Sequence, residues 1–286
     1  MQTEHPLRFH WSAHPGDQVY DQATFFRMSL DAETAGVESL RVPIAADLSD
    51  ALNLAVVVGR ETTRVKFRVG GDFAEILRSL SGRELKEAWE TLGARLIVHM
   101  SFESENHPQT DRFLAAGEFI ANCRKLFEGS QPPQFEVEGD SSETAFLAIK
   151  YADTFWRSPD RPNQVYADAL PVLHFGKEVG LVCCVIARET QEDALLSAAE
   201  LLSGYSVEQL SNPESWITPQ LLKEVAPDGG ENKVILGSFE QVARTIHGFN
   251  KSGISQFMVR ELPGQRELAH FAERALPIIR AIESGK

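Results

Sequence analysis

The stretch 234–259 constrains the fold more than any other part of the chain. A short apolar run, Val234-Ile235-Leu236, meets Gly237-Ser238, then an amphipathic segment, a Ser252-Gly253 break and a second apolar run ending at Val259. Ser238 stands at an N-cap position, and Gln241 three residues on completes a capping-box pattern. Val242, Ile246 and Phe249 recur at helical spacing, and Gly253 falls where a helix C-terminus favours positive φ. A helix that hands the chain to a buried strand in this way is the closing αβ unit of a barrel-like α/β chain.

The rest of the sequence repeats that alternation. Apolar runs predict strands at 7–13, 38–43, 64–70, 95–101, 134–138, 152–156, 180–187 and 255–260. Helical periodicity predicts helices at 20–35, 47–59, 72–90, 110–128, 142–150, 163–178, 190–203, 238–252 and 265–283. Eight strands, each followed by a helix, is the (β/α)₈ TIM-barrel pattern, and 286 residues suit one such domain over 1–286. Residues 204–233, with Pro213, Pro219, Pro227 and Gly229-Gly230, read as irregular.

Composition narrows the class. A net charge of −13 argues against nucleic acid and anionic membrane surfaces as partners. No apolar run approaches the ~18 residues of a membrane span, and the first residues lack the basic and apolar regions of a signal peptide. Three cysteines, Cys123, Cys183 and Cys184, form no disulfide framework, which points to a reducing, cytoplasmic setting.

Several segments carry a resemblance. LRFHWSA at 7–13, AETAGVESLRVP at 32–43, TRVKFRV at 63–69, VGLVCCVIARET at 179–190 and the 234–259 unit occur in the order and spacing of the luciferase-like flavin monooxygenases. Among these, the alkanesulfonate monooxygenases are the most similar. The resemblance implies a luciferase-like TIM barrel with shortened insertions. It also implies an FMN cofactor used in its reduced form, a separate flavin reductase, a small organic substrate, and a homodimer or a heterodimer with a homologous barrel. Phe25, Phe26, Leu30 and residues 54–58 are apolar enough to serve such an interface or the core.

The family's phosphate turn resembles Gly139-Asp140-Ser141-Ser142. Gly139, Ser141 and Ser142 would then hold the flavin phosphate, with Glu138, Ser101 and Trp156 beside the cofactor. The other reading of this turn is an ordinary N-cap at Asp140 or Ser141. His10, His14, Cys184 and Arg260 are the residues implied near the reacting atom, Cys184 either as a thiolate or as a packing residue. The sulfonate enzymes' Arg-x-His pair is replaced by Val182 and Cys184, their cysteine by Leu48, and their last-loop tyrosine is missing from 259–263. Glu103, Glu105 and His107 fit a solvated acidic loop better than a metal site, and no metal is expected.

Arg41, Arg68, Glu136, Glu138 and Arg260 lie in strands that are normally aliphatic. They form either an interior Arg–Glu network joined by His10 or His99, or salt bridges at the rim. Three functions follow: a reduced-flavin monooxygenase, a catalytically silent luciferase-like subunit or binding protein, and a flavin-free enzyme built on the charged interior.

Overall fold

The computed structural model describes residues 6–12, 21–43, 47–102, 109–202, 205–225, 232–261 and 267–285. Its strands are β1 (Arg8–Ser12), β2 (Ser39–Arg41), β3 (Lys66–Asp72), β4 (Leu96–Ser101), β5 (Gln134–Glu138), β6 (Thr154–Arg157), β7 (Glu178–Arg188), β8 (Trp216–Thr218), β9 (Leu221–Val225), β10 (Asn232–Ser238) and β11 (Gln256–Arg260). They hydrogen-bond in the order β11-β1-β2-β3-β4-β5-β6-β7-β10-β9-β8, and β11 also pairs with β7. Strands β1 to β7 with β11 thereby close a parallel eight-stranded barrel, at the positions the apolar runs predict.

The chain divides into two compact units. One comprises Asp17–Arg157 and Ala169–Gly180. Alternation along its strands separates the two faces of the sheet. Phe67 meets Phe25 of helix Gln22–Ala35, and Phe135 lies under Arg124 of helix Gln109–Lys125, so these residues face the helical layer. Arg68, Glu136 and Glu138, one step out of phase, face the barrel interior. Phe25 is fully buried and belongs to the core.

The helix expected over 72–90 is two, Phe73–Ser79 and Gly82–Leu92. Ser81 accepts from Glu84 N–H while the Glu84 carboxylate takes the Ser81 N–H, and this capping box starts a new helix after an extended Leu80.

The other unit comprises Met1–Gly16, Ser158–Asp168 and Leu181–Lys286. Within it, the segment read as irregular contains a hairpin, β8–β9, and leads into the added strand β10, which takes up the apolar run at 234–236. Its physical cause is the length of β7. Residues 184–188 of β7 offer an edge to which β10 adds in parallel, and β9 then pairs antiparallel to β10. Cys184, Ile186, Val234, Leu236 and Leu222 bury one apolar face against Ala194 and Ala198.

Helix Phe239–Lys251 begins with the expected box, Ser238 accepting from Gln241 N–H, and ends with Gly253 at φ 86°. The last helix contains a π-turn at Phe271–Ala275, ending two residues before Pro277. A residue without an N–H cannot continue the i→i−4 ladder, and the wider turn absorbs that break. Among the described residues no helix is long and apolar enough to cross a membrane.

Ser238→Ala removes the cap oxygen and should lower the unfolding free energy by about 1 kcal/mol. Urea denaturation followed by far-ultraviolet dichroism measures it, and an unchanged midpoint would mean that strand packing alone fixes this helix start.

Candidate functional site

The barrel interior of the first unit is charged. Arg68 holds Glu136 in a two-pronged pair, Nε donating to Oε2 at 2.6 Å and Nη2 to Oε1 at 3.1 Å. His99 lies between two carboxylates, with Nδ1 3.3 Å from Glu136 Oε2 and Nε2 2.8 Å from Glu138 Oε2. Arg68 and His99 are 0% exposed, and both glutamates 2%. The Arg68 guanidinium also lies 5.0 Å from the ring centroid of buried Trp156. Gly180 makes room for that indole, since a Cβ there would come within 2.3 Å of the ring.

Strand register explains why these side chains meet. His99 is opposite Glu136, which is opposite Thr154, and Ser101 is opposite Glu138, which is opposite Trp156. The layer of Arg68, His99 and Glu136 therefore has a second layer above it, Ser101, Glu138 and Trp156, at the C-terminal ends of the strands. That end of a barrel is where ligands bind. Burial alone would raise the Glu136 carboxyl. The Arg68 charge and the His99 and Arg68 hydrogen bonds outweigh it and hold the group well below the usual carboxylate range.

The rim continues into the turn after β5. Gly139 donates its N–H to the Trp156 carbonyl at 3.0 Å. Ser141 caps helix Ser142–Tyr151 by accepting from Thr144 N–H, so the N-cap reading of this residue is realised. The exposed Ser142 donates its hydroxyl to Glu143 at 3.1 Å. Glu143, held on its own backbone N–H and by Ser142, is lowered from the usual carboxyl range. Arg157, largely buried at the end of β6, approaches Asp140 at 3.8 Å. Two hydroxyls, the first amides of a helix and a guanidinium are donor types that a phosphate group can use. The exposed Glu143 carboxylate can swing into water, so the residues present fit a phosphate group.

Phe102, after β4, is drawn away from the strand end. Its ring stacks on Phe73 at 5.4 Å and on Phe113 at 5.0 Å, under Arg112, which pairs with Asp72 at 2.9 Å. The Phe102 side chain thus builds the outer wall of the strand end. Sequence reasoning missed Asp72 and Arg112, since nothing in their spacing marks a pair 40 residues apart.

In the second unit, Phe9 and Trp11 of β1 meet Phe271 of the outer helix, so His10 and Ser12 face the other way. His10 is buried, and β1 runs beside β11 with Ser12 opposite Arg260. His10 and Arg260 thus share a face. Cys184 departs from the role of a reactive thiolate: it is enclosed by the apolar cluster under helix Gln191–Leu201. Burial pushes its thiol up to about 12, with Arg260 opposing only in part. His14, Glu103, Glu105 and His107 lie outside the described residues. Among those described, no group of three or more His, Cys, Asp or Glu could hold a metal ion.

No protein-family model matches the chain. The FMNH2-dependent dimethylsulfone monooxygenase of Pseudomonas fluorescens (strain Pf0-1) is 21% identical over 173 residues, 53% of this chain and 48% of that protein. The match thus spans about half the length of that curated relative. Solved structures align throughout. EDTA monooxygenase from Chelativorans sp. BNC1 superposes with a TM-score of 0.74 at 12% identity, covering 97% of this chain and 94% of that one. The oxygenating constituent of 3,6-diketocamphane monooxygenase of Pseudomonas putida, in complex with FMN, gives 0.64 at 12% identity, with 96% and 99% covered. The chain has the luciferase-like barrel fold.

Two outcomes test this geometry. Glu136→Gln leaves the Arg68 charge buried without its counterion and should destabilise the fold by roughly 3–5 kcal/mol. Because the Glu136 carboxyl is depressed in the folded state, wild-type stability from this group is complete above about 4.5 and is withdrawn as pH falls below it. A stability–pH curve that keeps the same acid limb in the variant would exclude Glu136 as its source. All three cysteines are buried, and burial pushes the Cys123 thiol up to about 11. A colorimetric disulfide reagent at pH 8 should therefore react with no thiol until the protein is unfolded; rapid modification of Cys184 would contradict its enclosure.

Proposed function

We propose that this protein is a reduced-flavin-dependent monooxygenase of the two-component type, acting on a small organic substrate with FMNH2 delivered by a separate reductase. The observation that carries the reading is a phosphate-type donor set on the first turn after β5, at the ligand-binding end of a luciferase-like barrel. Ser141, Ser142 and Arg157 would hold the FMN phosphate, with Gly139, at φ 156° and its amide on the Trp156 carbonyl, shaping the turn that presents them. Ser101, Glu138 and Trp156, on the adjacent strand ends, would lie beside the ring system. Bound reduced flavin would supply the electrons and the oxygen activation.

The chain's own part is binding, orientation and exclusion of water. Phe73, Phe102 and Phe113 present an aromatic wall next to Ser101. His10, His14 and Arg260 are the groups proposed for the substrate side. Cys184 is not among them, because its thiol is enclosed and protonated over the physiological range.

One barrel domain, a cytoplasmic location and a dimer complete the proposal. Helices Gln22–Ala35 and Leu48–Gly59 bear a groove of about 630 Å³ lined by Phe26, Val57 and Val58, with Arg60 and Glu61 at its edge. A second copy, or a homologous barrel, is proposed to seat there; light scattering gives the stoichiometry.

Anaerobic titration with FMN and with reduced FMN tests the cofactor. Ser141→Ala with Ser142→Ala should weaken binding at least tenfold. Since Ser141 also caps a helix, Ser142→Ala alone separates ligand loss from fraying, and should retain wild-type stability. Glu143→Gln, which removes a carboxylate from the phosphate position, should tighten binding severalfold. Absence of binding by either redox form would end the flavin reading.

A further inference from the structure

We propose that His99 and Glu138 form an acid–base pair holding one exchangeable proton at the inner wall of the barrel, placed to serve a ligand at the C-terminal rim. This rests on the reading above only in locating a ligand at that rim.

The argument begins with hydrogen-bond arithmetic. A neutral imidazole has one N–H and one lone pair, whereas ionised carboxylates only accept. His99 has a carboxylate oxygen on each ring nitrogen, at 3.3 and 2.8 Å. With Glu136 kept ionised by Arg68, two arrangements satisfy both contacts. In the first, an imidazolium donates to Glu136 and to Glu138. In the second, Nδ1–H donates to Glu136, and Nε2 accepts from a protonated Glu138. They differ by the position of one proton along the 2.8 Å contact. In both, Arg68, His99, Glu136 and Glu138 sum to zero charge, which lowers the cost of burying them.

Glu136 is not the exchanging member. Arg68 grips both its oxygens and keeps it ionised, which fixes the Nδ1 side of the ring as a donor. The proton on the Nε2 side is the one free to move. Glu138 is the last residue of β5, level with Ser101 and Trp156 and directly before the turn at Gly139.

Charged groups on the surrounding elements have partners of their own. From β3, Asp72 is taken by Arg112 and by the amide of Ala74. From β2, Arg41 donates to the Gly70 carbonyl at 3.4 Å. From β6, Arg157 faces Asp140.

The transfer balances simply. The proton leaves Glu138 Oε2, or His99 Nε2 through it, for a basic atom of the ligand. His99 is then neutral, both glutamates are ionised, and the buried group carries one negative charge. A proton taken from water at the rim restores neutrality. No oxidant or reductant is involved.

The test uses the full-length, ligand-free protein labelled with ¹⁵N-histidine and ¹³C-glutamate. His99 ring nitrogens and the Glu138 carboxyl carbon should titrate with one shared midpoint. In Glu138→Gln the His99 midpoint should move by about one pH unit or more, a tenfold change in proton affinity. Glu138→Asp should keep the shared transition. Independent midpoints in the wild type, or a His99 midpoint unmoved in Glu138→Gln, would overturn the pair. If Glu138→Gln does not fold, the wild-type spectra decide alone, shared midpoint for and separate midpoints against.

Calorimetry with reduced FMN in two buffers of different ionisation enthalpy adds the ligand side. About one proton should be exchanged on binding to wild type and none in Glu138→Gln; equal counts would overturn the link to the ligand. Absence of flavin binding would sink the cofactor reading and leave the pair to be decided by its titration in the free protein.

Discussion

The forked contact between Arg68 and Glu136 is the constraint on which the rest of the first unit depends. It joins β3 to β5 across β4, and both partners are buried. His99, on the strand between, has one ring nitrogen on Glu136 and so is held by the same contact. Its other nitrogen then sets the direction of Glu138, and Glu138 is the last residue before the turn that opens the candidate phosphate site. A side-chain pair in the interior thereby aligns a rim one layer above it.

Stability does not account for such a network. Replacing a buried ion pair with well-packed hydrophobic residues is often neutral or stabilising, while removing one partner is strongly destabilising. Aliphatic side chains are what a barrel interior normally carries at these positions. The charged layer is therefore a local departure from that rule. Such departures are expected where function sets the requirement. The Cys184 region shows the contrast: there β7, β10 and helix Gln191–Leu201 bury an apolar cluster around the thiol, and that burial pushes the thiol up.

The sequence makes the barrel legible because parallel strands are short apolar runs separated by helices with strong start signals. The 234–259 unit is the clearest case, since its capping box, its helix stripe and Gly253 all point to the same boundaries, and the structure realises each. Less legible was anything decided by pairing at a distance. The added strand β10 looks like its neighbours in composition, and only the extra length of β7 gives it a place. The break at Leu80 was in principle readable from Ser81 and Glu84, but a continuous apolar stripe conceals it. At the site, the charges in the strands were visible as anomalies, yet a strand buried on both faces gives no polar side against which to set its phase. Phe67 on Phe25 and Phe135 under Arg124 supply that phase, and with it the inward direction of Arg68 and Glu136.

The turn after β5 shows how structure and ligand chemistry compete for the same atoms. Ser141 spends its oxygen on the helix cap, and Gly139 spends its amide on the Trp156 carbonyl. Glu143 covers a backbone amide that an anion would otherwise use. Arg157, facing Asp140, is the cation within reach. A phosphate arriving there would trade two weak, solvent-screened carboxylate contacts for charge-assisted bonds to a hydroxyl, an amide and a guanidinium. The exchange costs little because the carboxylates that leave go directly into water, whereas the groups that stay are fixed by β5, β6 and the helix they begin. The rigid part of the site is thus the part that would bind, and the mobile part is the part that would yield.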